Sequence, residues 1–113
     1  MEFWTRVRIV QDGKTYSIRR ESGKSFELPT EHGTPALFYY HNAGEKNKPL
    51  YVVTLPELGL KVCEAGRLKD AKARTAEFLP FIMERCTTED WIRQARSFRE
   101  LCERAESLGV GIL

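Results

Sequence analysis

Apolar and polar residues alternate from the start of the chain. Residues 3–10, "FWTRVRIV", and 14–20, "KTYSIRR", repeat with the two-residue period of a half-buried strand. Asp12-Gly13 between them is a dipeptide favoured in two-residue hairpin turns. A straight ladder from that turn pairs Gln11 with Lys14, Ile9 with Tyr16, Val7 with Ile18 and Arg6 with Arg19. One face of the predicted hairpin (3–20) then carries Val7, Ile9, Tyr16 and Ile18. The other carries Trp4, Arg6, Arg8, Val10, Ser17 and Arg19. Residues 21–34 are rich in Gly, Ser, Thr and Pro and read as loop, with a short strand at Phe26–Leu28. Further strands follow at about 36–41, 50–55 and 60–64, the first two joined by "NAGEKNKP" and the last two by "LPELG". In the first of these, Phe38 and Tyr40 point to one face, with Tyr39 and His41 on the other.

From Gly66 the period lengthens. Leu68, Ala71, Lys72, Thr75, Phe78, Leu79, Ile82, Met83 and Cys86 recur at three- and four-residue steps, predicting an amphipathic helix over about 67–85. Pro80 lacks a backbone donor and is expected to kink or divide it. A second helix over about 88–108 is capped by Thr87 or Thr88, with Glu89 and Asp90 in its first turn and Gly109 and Gly111 at its end. Its stripe is Trp91, Ala95, Phe98, Cys102 and Ala105, and the pairs Glu89–Arg93, Arg96–Glu100 and Glu100–Arg104 stand at four-residue spacing. The stripe either docks on the sheet or serves as a face for a partner or a homodimer. Strands first and helices after predict an α+β fold, a largely antiparallel sheet covered by two C-terminal helices.

At 113 residues the chain is expected to form a single domain, residues 1–113. Its 18 basic and 16 acidic side chains give a net charge of +2, which makes no case for general nucleic-acid binding. No apolar run approaches the ~20 residues needed to cross a bilayer. The N-terminal segment alternates and holds two arginines, unlike a signal peptide, so a cytoplasmic location is expected. Cys63, Cys86 and Cys102 are widely spaced and without a CxxC, which predicts buried, reduced thiols and no metal site.

For catalysis the candidates are His32, in a loop, and His41, at a strand end. No triad motif, paired carboxylates or phosphate-binding glycine loop accompanies them, so the expectation is a non-enzymatic protein without cofactors. Two surfaces are candidates for binding. On the predicted outer hairpin face, Arg6 opposite Arg19, with Arg8 and Trp4 beside them, places like charges together and invites an anion. On the last helix, Trp91 and Phe98 offer aromatic anchors of the kind that concentrate binding energy at interfaces. The leading expectation is a protein partner, with nucleic acid on the hairpin as the alternative.

Residues 50–79, "LYVVTLPELGLKVCEAGRLKDAKARTAEFL", resemble the core of HicB-like antitoxin domains. Tyr51, Val52, Val53 and Thr54 match that family's strand, and Pro56, Glu57 and Leu58 its turn. Val62 falls in its short strand, and Leu68 and Ala71 open its helix. With "ALFYYHN" as the first strand, the similarity extends over about 36–85. The resemblance implies a degraded RNase-H-like sheet with a helix, a module that binds and blocks a small toxin RNase. The N-terminal hairpin has no counterpart there, and one final helix is too little for the DNA-binding helix-turn-helix the family often carries.

Overall fold

The computed structural model describes all residues, 1–113. Six strands precede two helices: β1 (Glu2–Gln11), β2 (Lys14–Ser22), β3 (Lys24–Leu28), β4 (Ala36–Asn42), β5 (Tyr51–Leu55), β6 (Leu60–Ala65), α1 (Leu68–Arg85) and α2 (Glu89–Leu108). This is the α+β order expected from the sequence. β1 and β2 form a two-stranded antiparallel hairpin, and β3-β4-β5-β6 an antiparallel meander in that order. Asp12 and Gly13 both take positive φ, 52° and 75°, as a type I′ turn requires. No helix is long and apolar enough to cross a membrane.

The hairpin departs from the straight ladder. Gln11↔Lys14 and Ile9↔Tyr16 pair as predicted, but a bulge between Arg6 and Ile9 shifts the register by one residue. Beyond it Arg6 faces Ile18, Thr5 faces Arg19 and Trp4 faces Arg20. Because the side-chain period in a strand is two, the shift exchanges faces. Trp4, Arg6 and Ile18 now share one side, while Arg19 lies on the other with Phe3 and Thr5. The predicted Arg6–Arg19 opposition does not form.

Two apolar clusters hold the molecule. In the first, Phe26, Phe38, Val53, Cys63 and Ala65 of the meander pack beneath Ala71 of α1. Small residues let α1 approach closely: Ala71 and Thr75 are fully buried, the Thr75 hydroxyl donates to the Ala71 carbonyl (2.8 Å), and Cys63 Sγ lies 3.3 Å from Thr75 Oγ1. In the second cluster, Trp4 and Ile18 of the hairpin pack against Phe98 and Ala105 of α2. The stripe of the last helix therefore docks on the hairpin. Phe3, on the hairpin's opposite side, leans on Tyr39 (4.9 Å between ring centroids) and His41 (6.0 Å) of the meander.

Thr88 caps α2 by accepting from Trp91 N–H, and Gly109 ends it in the left-handed region. The tail returns along the free edge of β2, where Leu113 and Ile18 exchange backbone hydrogen bonds and Arg20 N–H donates to Gly111. α1 runs through Pro80 as one helix instead of dividing near Leu79. Phe78, assigned by periodicity to the buried stripe, is 47% exposed, because it stands at the edge of the arc centred on Ala71, Thr75 and Leu79 that covers β5 and β6. Of the charge pairs expected on α2 none forms; Arg93 pairs with Asp90 at 2.6 Å.

Candidate functional site

The turn Leu55–Gly59 joins the two halves. It closes through Gly59 N–H donating to Leu55 O at 2.8 Å, with Gly59 at φ 68°. Its outward carbonyls both accept from Arg6: Leu58 O from the guanidinium Nε (2.9 Å) and Gly59 O from the backbone N–H (2.8 Å). Phe98 lies so close over Gly59 that a Cβ at that position would overlap its ring. Arg6 in turn lies 5.1 Å from the Phe98 centroid. Glu57 accepts from the Trp91 indole at 2.9 Å. A residue type chosen for its φ and its missing side chain thus allows a strand, a turn and a helix to meet.

Beside this junction runs a groove of about 490 Å3 between α2 and the β1–β4 surface. Its floor is aromatic: Phe3, Trp4 and Phe98, with Tyr39 at the far side. Ile92, 49% exposed, and Ala95 form the apolar part of the helix wall, and Arg96 and Arg99 project from the same helix. Opposite stand Glu2, Pro56 and Glu57. The charges of the two walls are not equivalent. Glu2 is paired with Arg20 (3.5 Å) and Glu57 holds Trp91, whereas Arg96 and Arg99 form no ion pair. The groove therefore offers an apolar bed with two free guanidinium groups, donors suited to a carboxylate. Cys102 also lines it. Burial, and then the neighbouring Glu106 carboxylate, push its thiol up to about 11, so it stays protonated at neutral pH.

The residues singled out in the sequence fall into distinct roles. Trp4 is 9% exposed, donates to Glu106 Oε1 at 3.1 Å and carries the Arg20 guanidinium on its face. Phe98 is buried beside it, and both reach the groove floor. Arg6 is spent on the turn. Arg19 pairs with Glu21 at 2.6 Å, which leaves Arg8 exposed and unpaired as the one free arginine of that trio. Trp91 is half-buried at Glu57. The four arginine and tryptophan residues of the hairpin do not form a common anion-binding face. His32 and His41 line separate cavities, and His41 Nδ1 is buried without a hydrogen-bond partner. No group of three or more His, Cys, Asp or Glu side chains converges to hold a metal ion.

Sequence reasoning missed Arg96, Arg99, Tyr39 and Ile92 as groove residues. Four-residue spacing puts Arg96 in an ion pair with Glu100, and nothing local says which flank of the α2 stripe stays open once the hairpin docks. No protein-family model, curated protein or solved structure matches the chain.

Proposed function

We propose that this chain is a small non-enzymatic regulatory or inhibitory protein that works by binding a segment of another protein in the groove between α2 and the hairpin. The observation that carries the reading is the pairing of an aromatic floor with two arginines that have no partner of their own. A protein segment with one large apolar side chain next to an aspartate or glutamate matches that chemistry. The apolar group enters over Trp4 and Phe98, and the carboxylate meets Arg96 and Arg99. Tryptophan, tyrosine and arginine around a desolvated centre are the residues that dominate binding energy at protein interfaces. An antitoxin-like mode, in which a small domain occupies and blocks its target, is consistent with the likeness of residues 36–85 to HicB-like domains. The hairpin gives nucleic acid less to hold, since Arg6 and Arg19 are engaged internally.

A random peptide library panned against the intact chain tests this. The expected result is enrichment of sequences pairing a large apolar residue with a carboxylate. Their affinity should fall at least about tenfold in Arg96→Ala/Arg99→Ala, two exposed positions whose loss leaves both clusters intact. Failure to enrich any such motif, or binding indifferent to the double substitution, overturns the reading. So does tight, steeply salt-dependent binding of nucleic acid that is lost in Arg8→Glu.

A further inference from the structure

A different face, the exposed flank of α1, carries an inference independent of the groove. Phe78 and Phe81 are 47% and 52% exposed on adjacent turns, two aromatic rings left outside both clusters. They belong to a stripe Asp70, Arg74, Phe78, Phe81 and Arg85, separated by four, four, three and four residues. At about 100° per residue these five fall within a sector of about 80°, on the flank next to the Ala71, Thr75 and Leu79 side that meets the sheet, the two arcs being centred about 100° apart.

The stripe has a symmetry of its own. A two-fold axis between Glu77 and Phe78 sets position 70 opposite 85 and position 74 opposite 81 when the helix meets an antiparallel copy of itself. Asp70 then faces Arg85 at both ends, and the Arg74 stem faces Phe81 on each side of the centre. Asp70 and Arg85 form no ion pair within the chain. Arg85 instead lies over the Phe81 ring, 4.1 Å from its centroid, and so shields part of the apolar patch in the single chain. Arg74 reaches sideways to the Glu64 carbonyl, which leaves its methylene stem along the stripe.

We infer that this exposed flank of α1 is the interface of an antiparallel homodimer, a second copy of this chain packing α1 against α1 with the Phe78 rings of the two copies beside the axis and Asp70–Arg85 pairs at both ends. A two-fold interface needs one patch that complements itself, and this stripe does so in the order of its charges. A single helix pair of this length lies at the small end of stable interfaces, so the dimer is expected to exchange with monomer as concentration changes.

Sedimentation equilibrium of the full chain provides the test. The wild type should titrate from monomer to dimer. Arg85→Asp and Asp70→Arg, each setting like charges against each other at both ends, should weaken association about tenfold. The double exchange Asp70→Arg/Arg85→Asp restores both pairs and should restore association. Phe81→Glu should leave a monomer with unchanged helical circular dichroism. The proposal is overturned by a wild-type chain monomeric up to about millimolar concentration. It is equally overturned by a dimer indifferent to Phe81→Glu, or by a double exchange no stronger than its single parents. A monomeric chain whose Phe81→Glu variant loses binding to some other protein assigns the face to a foreign partner and sinks the homodimer.

Discussion

α1 and α2 have similar lengths, 18 and 20 residues, but α2 is the more strongly amphipathic and the two use their faces in opposite ways. α1 meets the meander through Ala71 and Thr75, with Leu79 and Ile82 packed beside them, and leaves Phe78 and Phe81 outside. α2 buries Phe98 and Ala105 against the hairpin and leaves Arg96 and Arg99 around an open groove. The partners explain the difference. The meander supplies large side chains of its own, Phe26 and Phe38, so the N-terminal half of the helix above it approaches on the small residues Ala71 and Thr75. The hairpin contributes only Trp4 and Ile18 to the cluster beneath α2, so α2 must bring the bulk. The halves also differ in how they are closed. Cys63 and Thr75 meet at a separation of 12 residues, whereas Trp4 and Glu106 are 102 residues apart. Contacts that close long loops cost more entropy to form and are expected later in folding.

The largest expected effect falls on the α2 half. Phe98→Ala removes the ring that touches Trp4, Gly59 and Arg6, and should cost about 3–5 kcal/mol in urea denaturation. Hydrogen exchange in the same variant should quicken in β1, β2 and α2 while α1 keeps its protection. Equal loss of protection in α1 would show that the two halves unfold as one unit.

Gly59→Ala comes next, at about 2–3 kcal/mol, since it combines a positive φ with overlap on Phe98. Gly109→Ala is the control: it has the same φ, 68°, but open space around the added Cβ, and should cost only about 1 kcal/mol. Combining Gly59→Ala with Phe98→Ala should abolish the steric part, and simple additivity would refute the contact as its source.

The smallest effect concerns the seam between hairpin and meander. Burial lowers the pKa of His41 below 6.5; Glu21 opposes the shift and Arg19 adds to it. The folded chain therefore takes up this proton less readily than the unfolded one. Stability should be full above pH 6.5 and fall as the pH drops from there toward the lower folded value, levelling off below it. His41→Phe should flatten that part of the pH profile relative to wild type. An unchanged slope would place the titration elsewhere.

Most of the architecture was legible in the sequence because it rests on local rules. Asp12-Gly13 set the turn, the change of period at Gly66 marked the helices, and Thr87 or Thr88 with Gly109 bounded α2, the structure taking Thr88. The register of the hairpin was not legible. An unbulged ladder puts Trp4 and Ile18 on opposite faces; the bulge brings them to one face, and the reason lies in α2, about 80 residues or more away. Phe78 failed for a related reason. Its position near the edge of the α1 stripe is compatible with burial, and only the width of the covered sheet leaves it outside. The groove could not be seen because it is the space remaining after docking, and no stretch of sequence encodes it alone.

The returning tail has a mechanical consequence. β1 and the Gly111–Leu113 segment flank β2 and both run antiparallel to it, so they run parallel to each other. Tension applied at residues 1 and 113 drags these two outer strands in opposite directions along the central one. The load falls across all the transverse hydrogen bonds at once, as shear, instead of opening them one by one from an end. A chain stretched from its ends should hold at the hairpin, and yield there abruptly.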